Sequence, residues 1–118
     1  MDRARIATYR EFWSYYLREH AKPATRAWHY LGTSLTILCL LGAAVLGRPG
    51  LLVAAVILGY APAWLGHFTS ERNRPATFRY PLWSLFSDFR MFAAWIGGSL
   101  PRELARAGVK EQRPASGG

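Results

Sequence analysis

The chain has 118 residues, of which 51% are hydrophobic, and it carries a formal net charge of +8. This length supports one core, so we predict a single domain over residues 1–113 followed by a flexible tail over 114–118. Long apolar runs combined with surplus basic charge are typical of a membrane protein with basic flanks. A nucleic-acid-binding protein is disfavoured, because the arginines are scattered between hydrophobic runs and form no continuous patch.

The first predicted helix spans residues 2–20 and is amphipathic. Aromatic and apolar side chains recur along it at three- and four-residue intervals, and His20 is the last residue on that face. By itself, His20 is also explained as an ordinary histidine at a helix end, where the helix dipole favours it. We predict that Pro23 ends this helix and that Thr25 caps the next one.

Two uncharged runs, residues 30–47 and 51–66, lie on either side of the tight break Arg48-Pro49-Gly50. As a helix, the 18 residues of the first run extend about 27 Å, which is enough to cross a hydrocarbon core. We therefore predict a transmembrane helical hairpin. A buried pair of helices in a soluble bundle is disfavoured, because so small a domain has too little chain to cover both.

The positive charges orient this hairpin. They are concentrated before the first run and after the second, and the connection contains Arg48 alone. The positive-inside rule then puts both open ends of the hairpin in the cytoplasm and Arg48 outside. We predict a multi-pass membrane protein whose functional site lies on the cytoplasmic side.

Pro81 opens a predicted fourth helix that ends near residue 99. Asp88 and Arg90 interrupt its apolar stripe, so three placements stay open: along the membrane interface, partway into the membrane, or across it with polar residues facing a bundle. We interpret the basic segment Arg102 to Arg113 as a soluble tail on an anionic membrane face. The predicted fold is an all-α, membrane-embedded bundle of four or five helices built around the hairpin.

All three histidines fall at one predicted boundary, the open end of the hairpin. His29 enters the first span, His67 leaves the second, and His20 precedes the boundary by one short turn. Antiparallel helices of similar length bring these ends together. Glu71 stands four residues after His67 on a helix that we expect Pro75 to end, so the two side chains share a face.

Three imidazoles with one or two carboxylates suit iron(II), and zinc is chemically possible. Glu19, Glu71 and Asp88 are the acidic residues near the histidines, and the number of metal ions, one or two, stays open. The sequence has no Cys/His zinc pattern, no Gly-rich phosphate loop, no catalytic serine triad and no nucleotide fingerprint. The convergence of three histidines at one membrane depth therefore indicates a metal site.

Several short blocks surround these histidines. The most specific runs Gly66-His67-Phe68 and continues as Glu71-Arg72-Asn73-Arg74-Pro75-Ala76-Thr77-Phe78. The others are Phe12-Trp13 through Glu19-His20, Trp28 through Thr33, Ala63 through Phe68, and Pro81 through Asp88. Together they resemble the small membrane family of 2-hydroxy fatty acid dioxygenases over about residues 12–91, with no departure at the motif histidines.

The resemblance implies an enzyme that uses Fe(2+) and O2 to shorten a 2-hydroxy fatty acid by one carbon, an α-oxidation. If the source is bacterial, the resemblance implies the cytoplasmic membrane. If the source is eukaryotic, it implies the endoplasmic reticulum, where the family serves phytosphingosine breakdown. Under this resemblance His20, His29 and His67 are the metal-holding, catalytic residues. Glu71 or Asp88 completes the ligand set or orients an imidazole.

A 2-hydroxy acid substrate brings a carboxylate that needs polar partners. We predict Arg26, Arg72, Asn73 and Arg74 as substrate-binding residues, with the acyl chain between the apolar helices. The arginines are equally explained by contact with lipid phosphate, and Asn73 by a helix cap. The expected partners are the fatty acid, O2 and membrane lipid, with no nucleic acid, and a homo-oligomer stays open.

Two functions of other classes also fit the pattern of residues. The first is a non-catalytic membrane module, a lipid-binding or assembly protein whose histidines are structural. The second is a zinc-dependent lipid hydrolase, which consumes no O2.

Overall fold

The computed structural model describes residues 5–75 and 78–109, and this part of the chain is helical or in short connections. Its elements are five α-helices and one π-helical segment: α1 Tyr9–Arg18, α2 Pro23–Leu46, α3 Gly50–Leu65, the π segment Gly66–Glu71, α4 Pro81–Gly97 and α5 Leu100–Arg106. The predicted all-α class is therefore confirmed.

The chain divides into two compact units. We call Lys22–Pro75 the hairpin unit, and Met1–Ala21 with Ala76–Gly118 the aromatic unit. The single domain over 1–113 stays a prediction, and the predicted tail over 114–118 lies outside the described residues.

In the hairpin unit, α2 and α3 are the two predicted apolar helices. Pro23 is the first residue of α2, because its fixed φ and missing N–H suit the first turn of a helix. Our expectation that Pro23 ends the preceding helix was therefore wrong, and so was the choice of Thr25 as the cap of α2. Gly47 ends α2 at φ 64, a left-handed conformation that glycine adopts without strain.

The second helix of the hairpin unit runs on without a break into the π segment, so that Gly50–Glu71 forms 22 continuous helical residues. The helix ends at Glu71, four residues before Pro75, which we had expected to end it. Arg72 follows at φ 61, and its backbone N–H donates to the carbonyl of His67. A left-handed cap therefore ends this helix before the proline is reached.

The two hairpin helices touch at a pair of glycines. A Cβ atom on Gly32 would overlap the carbonyl oxygen of Gly59, and a Cβ atom on Gly59 would overlap the hydroxyl of Thr36. That hydroxyl donates a hydrogen bond of 2.8 Å to the carbonyl of Ala55 on the facing helix. Small residues that let backbones approach, joined by hydroxyl hydrogen bonds, are typical of helix pairs in membranes.

Most of the apolar surface of the hairpin unit faces outwards. Both helices are long and apolar enough to cross a membrane, with a mean hydropathy of 1.7 in each best window, and only 17% and 28% of those windows are buried. The more exposed large side chains include Leu38, Leu41, Val45, Val53, Val56 and Ile57. So large a contiguous apolar surface is unusual on a protein surrounded by water.

The aromatic unit contains α1, α4 and α5. The first helix begins at Tyr9, where the Thr8 hydroxyl caps it by accepting from the N–H of Glu11 at 3.2 Å. The predicted start at residue 2 was too early, because residues 5–8 are not helical and residues 1–4 lie outside the described part. The buried apolar core of this unit consists of Phe12, Trp13, Tyr16, Leu17, Tyr80, Met91, Leu100, Leu104 and Ala107.

Helix α4 buries its polar side. Ser84 and Ser87 are buried, whereas Leu82 is 78% and Phe86 is 60% exposed. The hydroxyl of Ser87 shares a hydrogen bond of 2.8 Å with the hydroxyl of Tyr9 on α1. The sequence left three placements open for this helix, and the buried polar face fits the one in which α4 crosses the membrane. Whether α4 spans a membrane stays a prediction.

Helix α5 occupies part of the segment that we interpreted as a soluble tail. Its apolar side is buried in the aromatic unit, and Glu103 accepts a hydrogen bond of 2.9 Å from the indole N–H of Trp13. The tail interpretation was therefore wrong for Arg102–Arg106, and the residues after Val109 lie outside the described part. Leu100 and Leu104 are four residues apart, a spacing typical of a helix, but we had interpreted this segment from its clustered basic residues.

The glycine contact predicts a specific stability difference. We expect Gly32→Ala to lower the free energy of unfolding by about 1–3 kcal/mol, because its methyl group forces the two backbones apart. Gly97→Ala is the matched control, since a Cβ atom at this helical position meets no atom within 4 Å. Thermal unfolding in detergent, followed by circular dichroism, measures both. Equal melting temperatures for the two variants would contradict the contact.

Candidate metal centre

His29 and His67 meet in the hairpin unit. His29 lies on α2 and His67 on the π segment; their ring centroids are 5.0 Å apart and their planes nearly perpendicular, at 88°. Both side chains are buried, with 5% and 1% of their surface exposed. The prediction that the hairpin brings these two histidines together is confirmed.

The ring of His67 is held by Asn73. Nδ1 of His67 lies 2.6 Å from Oδ1 of Asn73, and the backbone N–H of Asn73 donates to the carbonyl of His67 at 2.8 Å. An amide oxygen only accepts, so Nδ1 carries the proton and Nε2 keeps its lone pair. This tautomer is the one that binds a metal through Nε2.

A close approach at Gly66 seats the π segment against α2. A Cβ atom on Gly66 would lie 2.9 Å from the Cβ of Trp28, so that any larger residue would push the two elements apart. His67 follows Gly66 directly and His29 follows Trp28 directly. The glycine therefore permits the short distance between the two imidazoles.

His20 is fixed at the end of α1 by Tyr16, one turn earlier. Its Nδ1 donates to the carbonyl of Tyr16 at 2.6 Å, and its ring stacks on the Tyr16 ring with centroids 4.1 Å apart. Only 1% of the His20 surface is exposed. As in His67, an oxygen holds Nδ1 in its protonated form and Nε2 keeps its lone pair.

Tyr16 is in turn held by Asp88. Its hydroxyl donates to Oδ1 of Asp88, and its ring stacks on Trp13 at 5.8 Å with an angle of 11° between the planes. The guanidinium of Arg90 lies 4.1 Å from the centroid of the Trp13 ring. Within the aromatic unit, α4 thus restrains the tyrosine on which His20 rests.

The three histidines form one group. His20, His29 and His67 each offer a ligand nitrogen, these nitrogens all lie within 4.8 Å of one another, and all three side chains are buried. Nitrogens that converge at this distance can share one ion, and a transition metal such as iron or zinc accepts imidazole ligands. The donor set therefore fits a metal ion. Within the described part of the chain, this group consists of histidines alone.

Glu71 has a different set of contacts. Its Oε1 accepts from the backbone N–H of Lys22 at 3.0 Å and from the hydroxyl of Thr25 at 2.8 Å. The Lys22 ammonium donates to the carbonyl of Ser70 at 3.0 Å. The carboxylate thereby satisfies the first turn of α2, where negative charge also suits the helix dipole. Ligation of a metal by Glu71 or by Asp88 stays a prediction.

The predicted substrate-binding residues differ in exposure. Arg26 lies on α2 and is 7% exposed, whereas Arg72 and Arg74 are exposed on the connection after the π segment. The side chain of Asn73 is bonded to His67. Because it is buried, Arg26 is the arginine of this set best suited to a closed binding site. Substrate binding by all four residues stays a prediction.

Sequence reasoning missed the two groups that orient the imidazoles. Tyr16 precedes His20 by four residues, and this helical spacing was a usable signal for a contact between them. Asn73 had been considered only as a helix cap or a substrate ligand. The contact of Asn73 with His67 depends on the left-handed turn at Arg72, and no local pattern in the sequence predicted that turn.

A scan against protein families matches residues 6–100 to the family described as 2-hydroxy-palmitic acid dioxygenase Mpo1-like. The chain belongs to this family. The match includes all three histidines together with Asn73 and Tyr16. No curated protein and no solved structure matches the chain. Membership in the Mpo1-like family confirms the resemblance that the sequence blocks indicated.

The contact between Asn73 and His67 yields a prediction about metal affinity. We expect Asn73→Leu to weaken metal binding by about 10–100-fold, because the orienting partner of a metal-bound histidine is lost. Asn73→Asp keeps an oxygen acceptor for Nδ1 and serves as the matched control. Competition of each purified variant with a calibrated chelator measures the affinities. Wild-type affinity in Asn73→Leu would contradict the orienting role.

Proposed function

We propose that this protein is an iron(II)-dependent dioxygenase that shortens 2-hydroxy fatty acids by one carbon. The observation that carries the proposal is the group of three buried histidines whose ligand nitrogens lie within 4.8 Å of one another. Membership in the Mpo1-like family, whose description is that of a 2-hydroxy-palmitic acid dioxygenase, supplies the substrate class.

His20, His29 and His67 would hold the iron as neutral imidazoles. For His20 and His67 the available atom is Nε2, because each Nδ1–H already donates to an oxygen. When bound, iron(II) supplies the redox chemistry that lets O2 react with an organic substrate. Three protein ligands leave coordination positions for other groups, as an oxygenase requires.

The overall reaction balances with O2 as the only oxidant. A 2-hydroxy acid and O2 give the acid shorter by one carbon, carbon dioxide and water. The bond between C1 and C2 breaks, C2 becomes the new carboxyl carbon and C1 leaves as carbon dioxide. The two carbons together lose four electrons, which is the number that O2 accepts on full reduction, so no separate reductant is needed.

Arg26 is our candidate for the partner of the substrate carboxylate. It is buried on α2, three residues before His29 and therefore on the same side of that helix. A buried guanidinium binds a carboxylate through two parallel hydrogen bonds, which fixes the orientation of the acid as well as its position. Arg72 and Arg74 are exposed and would serve at the entrance or on lipid phosphate.

We further propose that the hairpin unit spans a membrane and that the acyl chain reaches the site from the bilayer. Two helices of sufficient length and hydropathy, with most of their apolar side chains exposed, support this placement. The distribution of positive charge supports a cytoplasmic position for both open ends of the hairpin and for the histidines.

We propose supporting roles for the two carboxylates. Glu71 would anchor the start of α2, and with it the helix that carries Arg26 and His29, through its bonds to Lys22 and Thr25. Asp88 would hold Tyr16 in the position that orients His20. Mutation of groups that orient metal ligands typically lowers metal affinity by about 10–100-fold.

The experiment that tests the function is turnover of a 2-hydroxy fatty acid by protein purified without oxygen and loaded with iron(II). We expect stoichiometric iron, consumption of O2 and an acid one carbon shorter, read by mass spectrometry. His20→Ala, His29→Ala and His67→Ala should each lose both iron and turnover, because each removes one of three ligands.

The fatty acid without the 2-hydroxyl group is the substrate control and should not be consumed. Turnover without O2 uptake would instead favour a zinc-dependent hydrolase. Absence of iron in the wild type, together with lipid turnover that the three histidine substitutions do not change, would contradict the proposed iron site. That result would favour a non-catalytic membrane module with structural histidines.

A second prediction concerns Arg26. We expect Arg26→Gln to raise the KM for the 2-hydroxy acid by about 10–100-fold, because one charge-assisted interaction with the carboxylate is lost. Its iron content should stay unchanged. Arg102→Gln, which removes an exposed arginine on α5, is the matched control for loss of one positive charge. An unchanged KM in Arg26→Gln would exclude the assigned role.

A further inference from the structure

The aromatic unit contains a cavity that the proposed dioxygenase reaction does not use. The cavity has a volume of about 360 Å³ and lies where the segment before α1 meets the start of α4. Its polar lining includes Arg5 and Arg79, and its aromatic lining includes Tyr80 and Trp83.

The aromatic side of this cavity is held by a hydrogen bond and a ring stack. Tyr80 is 5% exposed, and its hydroxyl accepts a hydrogen bond of 2.9 Å from the backbone N–H of Ile6. The Trp83 ring stacks on the Tyr80 ring, with centroids 5.9 Å apart and an angle of 9° between the planes. Two chain segments that are 74 residues apart in sequence are thus joined on one wall of the cavity.

Both arginines lie over the same ring. The guanidinium carbons of Arg5 and Arg79 are 4.8 Å and 5.6 Å from the centroid of Tyr80. Arg5 also donates to the backbone carbonyl of Arg79 at 3.3 Å. None of the described residues that line the cavity is acidic. Two like charges held together on an aromatic ring attract an anion, which would relieve their repulsion.

The rim of the cavity is apolar. Leu82 lines the cavity and is 78% exposed, and the same outward side of α4 continues with Leu85 and Phe86, which are 44% and 60% exposed. Aromatic residues at a boundary between charge and an exposed apolar surface are typical of the membrane interface. A ligand of this cavity would therefore present its charged group to the arginines and an acyl chain to α4.

We propose that this cavity binds the phosphomonoester headgroup of an anionic phospholipid, as phosphatidic acid carries. Two guanidiniums present more N–H donors than the two oxygens of a carboxylate accept, whereas a phosphate monoester offers three terminal oxygens and up to two negative charges. The planar fork of arginine matches phosphate geometry. This site needs neither iron nor the histidines, so it stands independently of the proposed dioxygenase activity.

The test is isothermal titration calorimetry, in which dihexanoyl phosphatidic acid is added to the intact protein in a neutral detergent. We expect the double variant Arg5→Gln/Arg79→Gln to bind this lipid at least about tenfold more weakly than the wild type. Arg48→Gln/Arg102→Gln removes two exposed arginines elsewhere and is the matched control, with affinity expected to change by less than about twofold. An equal loss in both double variants would mean non-specific attraction and would overturn the site.

Two further ligands identify what the cavity recognises. Inorganic phosphate that binds as tightly as the lipid would overturn the lipid assignment, and hexanoate that binds as tightly would overturn the preference for phosphate. Circular dichroism checks the fold of each variant. If the glutamine pair fails to fold, Arg5→Lys/Arg79→Lys decides the question, because lysine keeps the charge and loses the fork. Weaker lipid binding by the lysine pair supports the site, and unchanged binding overturns it.

Discussion

The hydrogen bonds to Nδ1 of His20 and His67 are the interactions on which the rest of the candidate site depends. A buried imidazole without a partner destabilises a fold by about 1–3 kcal/mol, so each buried histidine needs an acceptor within reach. Tyr16 and Asn73 provide these acceptors from the same local stretches of chain as the histidines. Because both acceptors engage Nδ1, the second nitrogen of each ring keeps its lone pair for a metal.

A second constraint concerns the exposed apolar side chains of the hairpin helices and of α4. The hairpin helices and α4 expose large aliphatic and aromatic side chains, and most of the residues that they bury are small or carry a hydroxyl group. In hydrocarbon no hydrophobic effect drives helices together, and close backbone packing with hydroxyl hydrogen bonds takes its place. In the hairpin unit, the contact of Gly32 with Gly59 and the hydrogen bond from Thr36 to Ala55 are typical of such packing. The same arrangement in water would leave a large apolar surface unsatisfied.

The period and length of the apolar runs were enough to predict the helical class and the pairing of His29 with His67. Helix ends were predicted less well, because one residue type supports two opposite roles. Pro23 fits the start of a helix as well as the end of one, and Thr25 donates to Glu71 instead of capping α2. The helix that we expected to reach Pro75 ends at Glu71, where Arg72 adopts a left-handed conformation. Propensity alone assigns such a cap to glycine or asparagine.

By itself, the sequence determined that the chain is helical and that two helices can cross a membrane, and it predicted that three histidines fall at the open end of the hairpin. These properties depend on spacing along the chain, which periodicity reports directly. Only the tertiary structure decided that Asn73 and Tyr16 orient the imidazoles, that Glu71 anchors α2 and that Arg5 and Arg79 share one ring. Each of these contacts depends on a turn geometry or on a partner distant in sequence, and no local pattern encodes which distant residues meet.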